Sequence, residues 1–580
     1  MTTPRLGRSP LLPPRCCSGA LAVAACLWVG AVQAADIGSR HHAEGRYDAA
    51  SEAYTVAPGD DLDAIAERLG VSVGELRSTN KLTSDTIDVG QQLVVAGGAT
   101  AAPPKYAPDV PAKITTPDTI KTRIGTLRFK DGTPDPATTR LAYDQLDFGR
   151  GIDAFLTGMS ATSVHALCRG FDEAGIKLNQ GIGISADLLD ARSLFLTANT
   201  TTVYVTLCID LKDGPMVVRV PPRVLGPVDD ADFRWVTDVG LTGPDKGVGG
   251  DYLFVPPGYQ GTLPEKGYYV ARPRTNRLLM FYRAFVEKGD IPAAVAGVKA
   301  NAAIFPLAEA IHPPATGVVD ISGLKFNTIS ANDFSFYEEL NDVVQNEPAD
   351  WVDPDKVGLY AAIGIRKGRP FAPDARLKGI LTDAVAVANA IARSNLFASR
   401  DPRTRIYSDR QWFTPFVGGS YLFLDGAERL LDARAMFFYY ATGITPAMTE
   451  SKPGTGSAYA ISVRDSTGAY LDGGKTYKVA LPGPIPAKNF WSFTVYDNQT
   501  RSLLPTDQKL AGLDSTLPGV QMDPDGGVTV WFGPQAPADH EKNWVQTMPG
   551  KGYNVALRLY GPLEPWFDQS WRPGDPELQP

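Results

Sequence analysis

Residues 470–501, YLDGGKTYKVALPGPIPAKNFWSFTVYDNQTR, decide how the chain is read. The order is strand, tight turn, strand, proline-rich corner, strand. In the last strand Phe490, Ser492, Thr494 and Tyr496 alternate with Trp491, Phe493, Val495 and Asp497, one set on each face of a sheet. Asp472-Gly473-Gly474 has the composition of a hairpin turn, where glycine adopts positive φ without steric cost. So many aromatic and β-branched residues in one stretch call for a sheet packed on another layer. The stretch contains no recognisable nucleophile, base or metal cluster, so it speaks of architecture and not of a reaction.

Composition points the same way. The 57 glycines and 47 prolines make up about 18% of 580 residues, above the usual ~12%, and they fall in turns between short apolar runs. The chain is long enough for several domains with their own cores. Its formal net charge is −8; removing the first 34 residues takes away Arg5, Arg8 and Arg15 and no acid, giving −8 − 3 = −11. An acidic chain without a basic stripe is not built for nucleic acid. Residues 1–34 read as an export signal: a positive leader, an apolar run from Ser18 to Val32, and Val32-Gln33-Ala34 ending in a small residue. That run is too short to span a bilayer, and no other stretch is long enough. Cys16, Cys17 and Cys26 leave with the signal. Val23-Ala24-Ala25-Cys26 has the form of a lipoprotein box, but the apolar run continues past it, so lipidation at Cys26 is the minor reading. Cys168 and Cys208 remain, equally readable as a bonded pair in an oxidising compartment or as two buried thiols.

Residues 35–52 form a short polar spacer. From Tyr54 to Val95 the order is strand, helix, helix, strand: Leu62, Ile65, Ala66 and Leu69 at helical spacing stop at Gly70, and Ser72 with Glu75 forms a capping box. Tyr54-Thr55-Val56, Gly59-Asp60, Leu62, Ile65-Ala66, Leu69-Gly70-Val71, Leu76, Asn80, Leu82, Ile87 and Gly90-Gln91-Gln92-Leu93 resemble the LysM module over residues 53–96. Most of these residues are core. The resemblance implies a groove for N-acetylglucosamine-containing glycans such as peptidoglycan between two loops, carried here by Gly59, Asp60, Asp61 and Leu62 and by Thr83, Ser84, Asp85 and Ile87. Asp61 stands where such modules more often have threonine.

Residues 97–120 are rich in alanine and proline and read as a stiff linker. A long helix is expected over 141–175. Strands follow at 193–197, 202–210, 216–220, 233–238, 251–255 and 267–270. Asn199-Thr200-Thr201-Thr202-Val203-Tyr204 and the run from Gly249 to Tyr259 resemble the domain of unknown function 1254, placed over 121–277, with Thr201 where the usual motif has Asp. Strand spacing there suits an immunoglobulin-like sandwich. Residues 278–420 read as a helical segment, with helices expected at 279–287, 291–302, 333–345, 356–363 and 377–398. After Tyr421 the pattern returns to β. Residues 435–440, Phe490–Asp497, Asn543-Trp544 and Leu557–Pro562 resemble the companion domain of unknown function 1214, placed over 421–573. The expected architecture is therefore multidomain and mainly β: a small βααβ LysM module, an immunoglobulin-like β-sandwich, a helical segment and a C-terminal jelly-roll-type β-sandwich. Neither companion family brings an agreed activity.

Of the five histidines, His41 and His42 lie in the spacer, while His165, His312 and His540 lie far apart and lack a second ligand at metal spacing; no metal or cofactor is expected. There is no Gly-x-Ser-x-Gly elbow and no phosphate loop. Carboxylates at strand ends usually cap turns, arginines such as Arg272, Arg274 and Arg558 usually make structural ion pairs, and tryptophans such as Trp491, Trp531, Trp544 and Trp571 are more often core than a sugar platform. The residues that would form a site where the sandwiches meet are Asn199, Tyr204, Asp251, Tyr252, Arg272, Trp491, Tyr496, Asp497, Trp544 and Arg558. Two readings follow. One is an exported envelope protein, periplasmic or wall-associated, tethered through LysM, whose two-sandwich body binds a ligand or partner. The other is an envelope enzyme acting on a carbohydrate or small acid at that junction.

Overall fold

The computed structural model describes residues 45–48, 51–95, 106, 108–286 and 289–580. The export signal with Cys16, Cys17 and Cys26, the pair His41 and His42, and part of the linker lie outside the described residues. Two compact units divide at Thr115.

The first unit contains β1 (Arg46–Asp48), β2 (Ala53–Thr55), α1 (Leu62–Leu69), α2 (Val73–Thr79) and β3 (Gln92–Val94). Residues 46–48, read as spacer, instead pair antiparallel with β2 and make the sheet three-stranded. Each helix starts and stops on a local signal. Asp61 caps α1 by accepting from Ala64 N at 2.7 Å, and Gly70 ends it at φ 67°. Ser72 and Glu75 close the expected capping box on α2. Tyr54, Val56, Leu62, Ile65, Ala66, Leu76, Leu93 and Val95 fill one small core. The Asn80 side chain ties the end of α2 to β3, donating to Val94 O at 2.7 Å and accepting from Val94 N at 2.6 Å.

The second unit opens with an antiparallel ribbon of β4 (Thr119–Thr122), β5 (Gly125–Lys130) and β6 (Thr133–Pro134), followed by α3 (Pro136–Glu173). The helix begins five residues before the apolar periodicity does, because Asp135 caps it and Pro136 suits its first position.

Next come β7 (Gly181–Ile184), β8 (Val203–Asp210), β9 (Met216–Val220), β10 (Val224–Asp230), β11 (Trp235–Gly240), β12 (Gly250–Phe254), β13 (Tyr269–Ala271), β14 (Arg277–Ala284), α4 (Ile291–Asn301), β15 (Ala303–Pro306) and β16 (Gly317–Asp320). They form a six-stranded sheet, β11-β10-β14-β8-β7-β16, and a four-stranded sheet, β13-β12-β9-β15. Val203, Val205, Leu207 and Ile209 of β8 and Leu278, Met280 and Tyr282 of β14 meet Val218, Val220, Tyr252 and Phe254 of the smaller sheet in one core. Two pairs, β12–β13 and β7–β16, run parallel. Residues 193–197, expected as a strand, form only a bridge between Leu194 and Asn327.

The expected helix at 279–287 is instead β14, a central strand. Within its sequence, RLLMFYRA, the run LLMFY is continuously apolar because the other face of the large sheet is covered too, and such a run does not separate helix from strand by period. On that second face Tyr204, Cys208 and Leu279 join the core of α3, α5 (Ser335–Asn346), α6 (Pro354–Ala362) and α7 (Ala375–Phe397). Cys168 on α3 is bonded to Cys208 on β8, with Cα atoms 5.7 Å apart. A short hairpin, β17 (Leu424–Asp425) with β18 (Glu428–Arg429), precedes α8 (Leu431–Tyr440). The motif AMFFYY therefore lies on a helix and not in a β segment. From Ala435 to Tyr440 every residue is buried, and a helix enclosed on all sides carries no apolar stripe to betray its period.

The second sandwich comprises β19 (Ser457–Ser462), β20 (Tyr477–Leu481), β21 (Ala487–Asp497), β22 (Gly512–Asp514), β23 (Val528–Gly533), β24 (Trp544–Gln546), β25 (Tyr553–Pro562) and β26 (Glu577–Leu578). Its sheets are β19-β25-β21-β22 and β24-β23-β20-β26. The proline-rich corner at 482–486 is thus a crossing from one sheet to the other, where proline removes no ladder hydrogen bond. The strand expected before Asp472 is reduced to single bridges at Tyr470 and Asp472. The turn after it is tight for another reason than positive φ: a Cβ on Gly473 would stand 2.2 Å from Met548 O.

Candidate functional site

The LysM loops differ in what their residues do. Gly59, Asp61, Thr83, Ser84 and Asp85 are exposed, Asp60 and Ile87 are half-buried, and Leu62 belongs to the core. The Asp60 carboxylate accepts from Tyr54 Oη at 2.8 Å and from Ala57 N at 2.9 Å, so it shapes the first loop from within. Asp61 keeps the capping role a threonine would have. Asp85 is ion-paired to Arg77 of α2. Val56 N donates to Gln91 O at 2.9 Å and Gly90 N to Val56 O at 2.7 Å, which joins the root of the second loop to the strand before the first.

In the body, the sheet β19-β25-β21-β22 turns its polar face toward the first sandwich. Arg558, on β25, lies opposite Tyr459 of β19 and Ser492 of β21 in the strand register. Its guanidinium donates to Thr494 Oγ1 at 2.9 Å, to Tyr496 Oη at 2.6 Å and, across the junction, to Thr197 O at 3.0 Å. Tyr496 Oη donates to Ala198 O at 2.6 Å. The segment 197–202 is gripped in this way, and Asn199 folds it by accepting at Oδ1 from Thr202 Oγ1 at 3.0 Å. Asn199 N in turn donates to Tyr204 Oη at 3.3 Å.

Directly across the register from Tyr204 on β14 lies Arg283. Electrostatically, Arg283 faces Tyr204, Tyr459, Tyr560 and the like charge of Arg558. Among the described residues it has neither a hydrogen-bond nor an ion-pair partner, and neither arginine is paired to a carboxylate. Burial pushes the Tyr496 hydroxyl up to about 12 and raises that of Tyr204, so both hydroxyls are neutral at ordinary pH. Ser492 Oγ is fully buried without a partner. The junction therefore concentrates positive charge and hydroxyl donors, with few acceptors.

Of the ten residues named from sequence, the structure brings together Asn199, Tyr204, Tyr496 and Arg558. Asp251 forms a two-bond pair with Arg219 at 2.7 and 2.9 Å, Tyr252 donates to Asp245 at 2.5 Å in the first sandwich core, and Arg272 is exposed. Trp491 is core on the opposite face of β21, Asp497 is held by Lys551 at 2.5 Å, and Trp544 Nε1 donates to Gly533 O at 2.9 Å. Arg283, Tyr459, Ser492 and Tyr560 complete the group. Their signal was available: arginine is the one charge inside the otherwise apolar strand pieces LLMFYRA and ALRLYG.

Two further features frame the site. A cleft of about 480 Å³ lies between α3, α5 and the large sheet, lined by His165, Arg169, Arg277, Asp342, Asn346 and the disulfide. Burial lowers the His165 imidazole to about 4, against the opposing pull of Asp342, and Glu347 close by is raised by burial to about 7. Elsewhere Asp232 is buried with its charge answered: Lys356 Nζ lies at 2.7 Å, Arg434 at 3.2 Å, and Ser160 Oγ donates at 2.6 Å. Among the described residues no three His, Cys, Asp or Glu side chains are grouped to hold a metal ion, and no helix is long and apolar enough to cross a membrane.

Three family models match the chain. A LysM domain matches residues 54–96, the protein of unknown function DUF1254 matches 180–306, and the protein of unknown function DUF1214 matches 456–564. Short stretches are similar to an autolysin of Enterococcus faecalis (54% identical over 46 residues), a probable N-acetylmuramidase of Lactococcus lactis (35% over 82) and the membrane-bound lytic murein transglycosylase D of Escherichia coli (45% over 51). These cover 8%, 12% and 9% of this chain and only 6%, 19% and 11% of those relatives. A solved protein of Vibrio parahaemolyticus covers 75% of this chain and 99% of its own at 19% identity and a TM-score of 0.47. One from Burkholderia cenocepacia covers 76% and 97% at 13% identity and a TM-score of 0.33.

Proposed function

We propose that this is an exported cell-envelope protein held on peptidoglycan by its LysM domain, with a body that takes a ligand where its two sandwiches meet. The observation that carries the tether is the small, fully cored LysM domain with two exposed loops. It is supported by the short stretches of likeness to an autolysin, a muramidase and a murein transglycosylase. The groove would be formed by Gly59–Leu62 and Thr83–Ile87, with N-acetylglucosamine-containing glycan as its ligand. The Cys168–Cys208 bond suits an oxidising compartment, in keeping with export. Co-sedimentation tests the tether: the full chain is expected to pellet with purified sacculi and to be released by soluble chitooligosaccharide. Protein that stays in the supernatant while a known LysM control pellets would sink this reading.

An enzymatic reading draws on the cleft beside α3, where His165 is neutral, and on a smaller pocket sharing His165, where Glu347 titrates near neutrality. It expects release of small products from envelope carbohydrate or small-acid substrates, and loss of that release in His165→Asn. Unchanged turnover in that variant would remove the cleft from consideration.

A further inference from the structure

We infer that the ligand of the junction is a small organic acid, its carboxylate held between Arg283 and Arg558 and its apolar part against the surrounding rings. This rests on the reading of the junction as a ligand site. A buried cation ordinarily lies beside an anion, as Asp232 does with Lys356 and Arg434, because desolvating an unanswered charge is costly. Arg558 is 5% exposed and has only neutral partners: two hydroxyls and one backbone carbonyl. Among the described residues Arg283 has no hydrogen-bond or ion-pair partner; it is half-buried and feels the like charge of Arg558. Two guanidiniums without a carboxylate repel each other where solvent screens them poorly.

The acid closest in the register is Asp514 of β22, opposite Ser492, and its carboxylate is turned to Thr516 N at 2.8 Å. It therefore answers neither arginine. An anion entering from outside would do so.

The remaining groups fit a carboxylate on an apolar body. Ser492 Oγ is buried and without an acceptor, beside Arg558 in the register. Tyr459 lies on the other side of Arg558, its ring centroid 5.7 Å from that guanidinium. Phe490 stacks on Tyr560 at 3.9 Å between centroids, and Phe281 and Arg283 share one face of β14. Phe281, Arg283, Tyr459 and Phe490 are all half-buried whereas Arg558 is 5% exposed, so Arg283 is the more accessible of the two arginines. Arginine forks match a planar carboxylate in two bonds, and aromatic rings give an apolar body something to pack against. A bare phosphate would engage the first set and leave the rings unused.

The test is titration calorimetry on the full chain at low ionic strength with benzoate, succinate, inorganic phosphate and N-acetylglucosamine as probes. Benzoate is expected to bind, phosphate to bind at least tenfold more weakly, and the neutral sugar to leave the junction untouched. Arg283→Gln should weaken benzoate at least tenfold, with Arg283→Lys recovering part of that loss. Arg283 is the residue to change first, since it makes no hydrogen bond that the fold needs; Arg558 also holds the segment 197–202. Binding of phosphate without benzoate, or benzoate affinity unchanged by Arg283→Gln, overturns the proposal. Native mass spectrometry after incubation with envelope extract separates the two levels. A neutral molecule retained by the wild-type chain and lost in Arg283→Gln removes the acid and keeps the ligand site, whereas a bare chain together with no benzoate binding removes both.

Discussion

Two buried groups of charge in the same body differ in one respect. Around Asp232, a lysine and an arginine share a carboxylate that also accepts from Ser160. Although burial works the other way, Lys356 and Arg434 hold that carboxyl below its ordinary range, while burial lowers Lys356 to about 8. Around Arg283 and Arg558 the positive charges stand among tyrosines and serine. A group that is closed internally has a role in the fold; one whose donors exceed its acceptors is left with hydrogen-bonding capacity that the chain does not use.

The sharpest way to break this contrast is Asp232→Ala. It leaves Lys356 and Arg434 buried and unanswered, and should cost about 3–5 kcal/mol in urea unfolding; a loss under 1 kcal/mol would mean the group is better hydrated than its burial implies. Replacing Cys168 and Cys208 together by Ser should cost about 4 kcal/mol by the same measure, since the bond closes a loop of sequence separation 40.

The cleft gives a pH test. Glu347 titrates near 7 when folded against 4.5 unfolded, so its stabilising contribution is present below 4.5 and lost as pH rises to 7. His165 titrates near 4 against 6.5, so its contribution is present above 6.5 and lost as pH falls to 4. The two slopes oppose each other. Glu347→Gln should therefore expose a steady loss on acidification, on the order of 2–3 kcal/mol between pH 6.5 and 4, and a flat profile would remove His165 as its source. Asp61→Ala in the LysM domain should cost about 1 kcal/mol through the lost cap, seen as earlier unfolding of that unit in calorimetry. Smallest is Arg283→Gln without ligand: stability within about 0.5 kcal/mol of wild type and, if anything, higher at low salt. Set beside Asp232→Ala, that near-silence would show that the fold does not depend on Arg283 as it does on Asp232.

How far the sequence could be read depended on local signals. The LysM domain carries every one of its signals within a few residues, from Asp61 and Gly70 to the Ser72–Glu75 box, and was legible almost throughout. In the body the strands with a clear alternation, such as β21, were legible, and their polar face was visible as Ser492, Thr494 and Tyr496. The enclosed elements were not. Burial on both faces erased the period of β14, and reading it as a helix hid Arg283, which meets Tyr204 only through strand register. The same erasure hid α8. Asp251 and Trp544 drew attention for their chemistry, yet each had a local partner that sequence spacing does not reveal.

The bond between Cys168 and Cys208 has a consequence for the order of events. Both cysteines precede the whole of the second sandwich along the chain. During directional synthesis or passage through a channel, they can meet before β19 to β26 have arrived, fixing α3 on β8 while the junction still has only one of its walls. One wall of the junction would then be set covalently in advance, with the Arg558 wall closing on it last.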